Sequence, residues 1–167
     1  LLGSRWSDVG LLMGSLKAEL FVATGCRLLP GATVELVDPD WQFDAYGPRS
    51  ASFDAVCIFV RMNSHLDVVH RVEWSDSSRC TWVQVDGETV VVGFYVPPRS
   101  KDHSEEERSS ILQLLFDQYD VVRLRVGPNT LVVGYGDLNP SPALLQHYDD
   151  HLQRRSLVDC IPRDQAT

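Results

Sequence analysis

The sequence predicts an α/β (α+β) domain in which two packed sheets, a β-sandwich, are flanked by helices. Three observations lead there. Four runs rich in β-branched and aromatic residues follow one another through the middle of the chain. Asp86-Gly87 sits between two of them as a tight hairpin signal. Two capped amphipathic segments, headed by Ser104 and Ser141, lie beyond.

Taken in order, Trp6, Val9, Leu12, Met13 and Leu16 have helical spacing, weakened by Gly10 and Gly14. Leu20 to Ala23 reads as a short buried strand. Thr33 to Val37 reads as a strand after the Pro30-Gly31 turn, and 38–52 as a loop rich in Pro, Asp and aromatics. Strands are expected at Ala55–Arg61, Leu66–Trp74, Thr81–Val85 and Thr89–Val96, the last stopped by Pro97-Pro98. Ser104-Glu-Glu-Glu107 is a capping box. Ile111, Leu112, Leu115, Phe116 and Tyr119 form the apolar face behind it. Val121 to Val126 fits helix or strand equally. Thr130 to Tyr135 reads as a buried strand, and Leu157 to Cys160 as a short final one. Pro142 occupies a helix's first turn, where its missing N–H does no harm, with Leu144, Leu145, Tyr148 and Leu152 as the stripe to be buried.

The 167 residues fit one domain, and 44% hydrophobic with 23% charged is a globular mix. A net charge of -8 disfavours sequence-independent nucleic-acid binding, which depends on cations that displace phosphate counterions. A bound metal would offset that locally. Cys26, Cys57, Cys80 and Cys160 form no Cys-x-x-Cys pair, so a zinc site is not expected; Cys57 and Cys80 read as small buried hydrophobes. No apolar run is long enough to span a membrane and no signal peptide is visible. An intracellular setting is favoured over secretion, with the compartment otherwise open.

Three ordered segments carry a family resemblance. Thr130-Leu-Val-Val-Gly-Tyr-Gly-Asp-Leu-Asn139 resembles the apolar strand ending in Gly-Asp-Phe-Asn that marks the endonuclease/exonuclease/phosphatase family. Val92-Gly-Phe-Tyr-Val-Pro-Pro98 resembles that family's other central strand. Val56-Cys-Ile-Phe-Val-Arg61, followed by Trp82-Val-Gln-Val85, resembles the strands between. Leu20 to Gly31 is similar to the early segment of the apurinic-type endonuclease domain of non-LTR retrotransposons, the subgroup nearest in pattern.

The resemblance implies a Mg²⁺-dependent phosphodiesterase site. Asp137 would orient or activate the attacking water, Asn139 would hold the phosphate or the metal-bound oxygen, and Tyr95 would contact the scissile phosphate. Such a site suits an anionic substrate: a metal neutralises developing charge and neutral donors do not repel it. The same comparison implies departures. The family's metal-binding Glu falls on Gly25 or, one residue along, on Cys26, a poor magnesium ligand. The family's first-strand Asn would precede Leu1, and its Ser-Asp-His strand would follow Thr167. The expectation is therefore a single domain over 1–167 that lacks the start of the first strand and the C-terminal strands.

Plainer readings stand beside these. Asp137 and Asn139 could be turn formers, and Tyr95 an ordinary strand residue. His147 and His151, four apart on a helix, have metal-binding spacing but also suit a solvated face. Glu105 to Glu107 serve capping, and Arg154-Arg155 serve the end of the last helix in preference to a phosphate backbone. Two functions follow: a retrotransposon-type endonuclease-like domain, impaired as it stands, with DNA as ancestral partner; or a non-catalytic interaction module covered by a protein partner or an oligomer, with no membrane role. A lipid or sugar phosphatase is disfavoured, since no basic cluster offers itself to a phosphorylated headgroup.

Overall fold

The computed structural model describes residues 13–28, 43–47, 52–71, 74 and 79–160. Among the described residues, seven strands and two long helices follow in order: β1 Leu20–Leu28, β2 Phe43–Tyr46, β3 Ser52–Arg61, β4 Val68–His70, β5 Cys80–Val85, β6 Thr89–Tyr95, α1 Glu105–Val126, β7 Leu131–Asp137 and α2 Pro142–Arg154. They form a three-stranded sheet, β1-β3-β2, and a four-stranded sheet, β4-β5-β6-β7. The expected two-sheet α+β architecture is observed. Among the described residues, no helix is long and apolar enough to cross a membrane.

Period-two alternation places the core in layers. Ile58 and Val60 of β3 point at Val83, Val85 and Val91 of the second sheet, joining the two sheets. Trp82, Val90 and Val92 point the other way and pack under Leu112, Leu115, Phe116 and Val122 of α1 and Leu144 of α2. Ala55, Cys57 and Phe59 face outward from the first sheet and gather Met13, Phe21 and Ala23. Gly93 lies where the two sheets approach closely. A Cβ there would stand 2.6 Å from Val56 and 2.7 Å from Val22 side-chain carbons.

The local chemistry follows the sequence at most junctions. Asp86 (φ 52°) and Gly87 (φ 70°) make the hairpin turn, and Glu88 N–H donates to the Val85 carbonyl. The Ser104 hydroxyl accepts from the Glu107 amide and starts α1. The Ser141 hydroxyl accepts from the Leu144 amide and starts α2. The ambiguous stretch 121–126 is helix, ended by Gly127 at φ 81°.

Several expectations are corrected. β1 runs nine residues to Leu28, and its Leu20–Ala23 portion is half-buried. A strand, β2, lies inside the stretch read as loop, because Phe43–Tyr46 pairs antiparallel with the C-terminal end of β3, Ile58 to Arg61. The strand expected over Leu66–Trp74 is confined to Val68–His70. β7 is not buried: its outer side has no partner strand among the described residues, and Leu131 and Tyr135 are more than half exposed. Leu157–Cys160 is not a strand. Residues 13–16 are helical. The rest of the helix expected from Trp6, and the strand expected at Thr33–Val37, fall outside the described residues.

Candidate functional site

The site is built where β6 and β7 end side by side. These strands are parallel, and their register pairs Tyr95 with Asp137. The pairing persists one step further, with the Val96 amide donating to the Asp137 carbonyl at 2.8 Å. Asn139 lies just beyond, at φ 43°. Its own amide donates to Asp137 Oδ1 at 2.9 Å, and its side-chain Nδ2 donates to the Val96 carbonyl at 3.1 Å. The three residues expected from the sequence are thus brought to one end of one sheet. The turn-forming chemistry of Asp and Asn is realised as well, so one carboxylate oxygen of Asp137 is already engaged by its own loop.

Alternation along β6 sends Tyr95 toward β1, to the same side as Gly93. The residue it meets is Gly25: a Cβ at that position would lie 3.4 Å from the Tyr95 ring and 3.6 Å from its hydroxyl. Gly25 has φ 64° and belongs to a bulge in which three steps of β1, Ala23 to Cys26, oppose two of β3, Cys57 to Ala55. Glycine is favoured in that left-handed conformation. The extra residue turns Cys26 away into the outward cluster with Cys57. Of the two positions left open by the sequence, Gly25 faces the site and Cys26 does not.

Two residues that sequence reasoning missed complete the surroundings. Asp54 opens the buried run of β3, and Arg79 immediately precedes β5. Arg79 Nη2 donates to Asp54 Oδ2 at 2.9 Å, and the Arg79 carbonyl accepts the Tyr95 amide. His103 Nε2 lies 3.6 Å from the same Asp54 oxygen, and its Nδ1 lies 3.3 Å from Glu107. Burial first, then the Asp54 and Asp137 carboxylates, raise the Tyr95 pKa against the opposing pull of Arg79. The phenol therefore stays protonated at neutral pH, a neutral hydrogen-bond donor. A lone acid at the start of an apolar strand was the one sequence signal available for Asp54.

Arg108 holds the two strand ends together. It projects from the first turns of α1, is 1% exposed, and donates through Nε to the Pro97 carbonyl at 2.8 Å. Its Nη2 reaches the Leu138 and Asn139 carbonyls, and its Nη1 pairs with Glu105 at 2.9 Å. Glu105 in turn accepts from the Ser141 hydroxyl at the head of α2. That bond, with Arg108, holds the Glu105 carboxyl below its ordinary pKa.

The donors described do not fit the magnesium ion that the resemblance implies. A Mg²⁺ shell needs carboxylate oxygens converging with waters in an octahedron. Position 25 has no side chain, Asp54 is tied to Arg79, and Asp137 is partly engaged by Asn139. Among the described residues, no three histidine, cysteine or acidic side chains come together as metal ligands. His147 and His151 do not form a site either. His151 is buried and stacked on Phe116, its ring 4.5 Å away, with the Arg155 guanidinium 3.0 Å from Nδ1. Burial first, then that guanidinium, lowers its pKa. Arg155 caps α2 as expected, its backbone N–H donating to the Leu152 and Gln153 carbonyls, while its guanidinium forks onto Asp120 of α1 at 2.6 and 2.8 Å.

The architecture is that of the endonuclease/exonuclease/phosphatase fold. The structure is similar to the endonuclease domain of TRAS1, a telomere-specific non-LTR retrotransposon, with a TM-score of 0.62 and 13% identity over 89% of this chain. It is also similar to TDP2 from Caenorhabditis elegans, with a TM-score of 0.53 and 15% identity over 95% of this chain, and to a truncated form of the same protein with a TM-score of 0.52 and 14% identity over 84%. The chain spans 64% of the TRAS1 domain, 45% of TDP2 and 57% of the truncated TDP2. No family model and no curated protein matches the sequence.

Proposed function

We propose that this chain is a retrotransposon-type endonuclease-like domain, descended from a Mg²⁺-dependent DNA phosphodiesterase and impaired in that chemistry as it stands. The likeness to a retrotransposon endonuclease domain supports the ancestry. The observation that carries the impairment is Gly25. It stands against Tyr95, where the resemblance places a metal-binding carboxylate, in a backbone conformation that favours glycine. Tyr95, Asp137 and Asn139 are the remnants of the phosphate-facing side: a neutral phenol donor, a carboxylate and a carboxamide at one strand end. The Asp54–Arg79 pair sits beside them in place of a metal cluster.

The expected result in a plasmid-nicking assay is no magnesium-dependent cleavage of intact or abasic DNA. The carboxylate missing at position 25 removes a ligand on which metal-dependent phosphodiester cleavage depends. Restoring Gly25→Glu alone is not expected to bring cleavage back, because position 25 has a φ of 64°, Asp54 is tied to Arg79 and Asp137 is engaged by its own loop. Robust nicking by the unaltered chain, abolished by Asp137→Ala, would overturn the reading.

A second reading, a non-catalytic interaction module, is favoured by β7. Its outer N–H and C=O groups face away from β6, and Leu131 and Tyr135 are 59% and 53% exposed along it. An edge of that kind is a template for another extended chain. The net charge of -8 makes a protein a better cover than nucleic acid. Alone, the chain is expected to self-associate in sedimentation, with rapid hydrogen exchange along β7. A monodisperse, cooperatively folding monomer with fully protected strands from Val56 through Val133 would sink this reading.

A further inference from the structure

The outward face of the first sheet holds two thiols that the site does not use. Cys26 is 5% exposed and Cys57 is 2% exposed, and both belong to the cluster with Ala55 and Phe59. Their meeting is a product of the bulge. Without the extra residue in β1, Cys26 would follow the alternation of Ala23 onto the opposite face. With it, Cys26 lies across from Ala55, on the same side as Cys57, which lies across from Ala23. The two buried side chains pack into one cluster on that face. Diagonal neighbours on one face of adjacent antiparallel strands need only modest backbone movement to reach disulfide separation.

We propose that Cys26 and Cys57 are a redox pair that closes to an intramolecular disulfide when a peroxide is the oxidant, tying β1 to β3 directly behind Gly25. The chemistry has two steps. The Cys26 thiolate attacks one peroxide oxygen, the O–O bond breaks, and a sulfenic acid forms with hydroxide leaving. The Cys57 sulfur then attacks the Cys26 sulfur and displaces that oxygen, which leaves as water with the Cys57 proton. The proton released from Cys26 neutralises the hydroxide. In sum, two thiols are oxidised and one peroxide is reduced to two waters.

The pair divides these roles. The neighbouring Cys57 side chain lowers the Cys26 pKa, and the same proximity, with burial, raises that of Cys57. Cys26, adjacent to the exposed Gly25, is the first nucleophile, and Cys57, inside the buried run of β3, is the resolving thiol. The other thiols have no such partner: Cys80 lies under the helices in the second sheet's core and Cys160 is exposed near the chain's end. A small peroxide suits a nearly closed site better than a bulky disulfide oxidant.

The test uses the chain carrying Cys160→Ser, so that the exposed thiol cannot bridge two molecules. It is treated with hydrogen peroxide while folded, alkylated in denaturant and digested with trypsin. The expected product joins the peptide 18–27 to the peptide 50–61, two hydrogens lighter than the sum. Cys80 should be alkylated in full. In a Cys57→Ser chain the cross-link should vanish and Cys26 should be trapped as a sulfenic acid by dimedone. Full alkylation of Cys26 and Cys57, under conditions that oxidise Cys160 in the unaltered chain, would overturn the proposal. So would Cys26 carried to the sulfinic acid while Cys57 stays a free thiol.

Discussion

Replacing Arg108 with Met is expected to lower stability by about 3–5 kcal/mol, because one buried guanidinium satisfies three backbone carbonyls at once. The side chain is 1% exposed and donates to carbonyls of Pro97, Leu138 and Asn139, which lose that donor in its absence. An orphaned buried acceptor is itself destabilising by about 1–3 kcal/mol. Met fills a similar volume, so a cavity is not the cause. For a chain of this size the melting temperature should fall by about 10 °C. Arg108→Lys should also destabilise, because an ammonium cannot span the same carbonyls. The distinguishing readout is hydrogen exchange at the Val96 amide, which donates to Asp137 only while the two strand ends stay together. A melting temperature and Val96 protection unchanged in Arg108→Met would refute the role assigned to the guanidinium.

Trp82→Ala is expected to lower stability by about 3–5 kcal/mol through a different cause, the cavity left in the layer between β5 and the helices. Trp82 is fully buried, and its Nε1 donates to Gln118 Oε1 of α1 at 3.3 Å. Trp82→Phe keeps most of the volume and removes only that bond, so its effect should be nearer 1 kcal/mol. Urea unfolding monitored by circular dichroism separates the two substitutions. Equal effects would mean that the hydrogen bond, and not the packing, holds α1 on the sheet.

The strand order was legible where local signals suffice. β-branched runs marked β3, β5 and β6, Asp86-Gly87 marked their hairpin, and two serines marked the helix starts. β2 was hidden because Asp44 and its neighbours have loop composition, and only pairing with β3 makes them a strand. β7 was read as buried because an apolar run looks alike whether or not a neighbour covers it. At the site, the ordered motifs led to Tyr95, Asp137 and Asn139. Asp54 and Arg79 are 25 residues apart and meet only because the two sheets stack, a relation no local pattern carries. Arg108 was hidden for the opposite reason. It stands in a run of charged residues that reads as a solvated first turn, yet it is among the most buried side chains of the molecule.

Gly93 ties the history of three positions together. With 2.6 and 2.7 Å separating a virtual Cβ from Val56 and Val22, no larger residue can enter at 93 while both valines keep their size and place. A lineage that acquires alanine there must shorten one of its facing partners or push β1 away from β6. The second route moves Gly25 off Tyr95, since both glycines lie along the same contact between those strands. Drift at a position without a side chain is in this way coupled to the geometry of the strand ends, and the three positions can be expected to vary as a set.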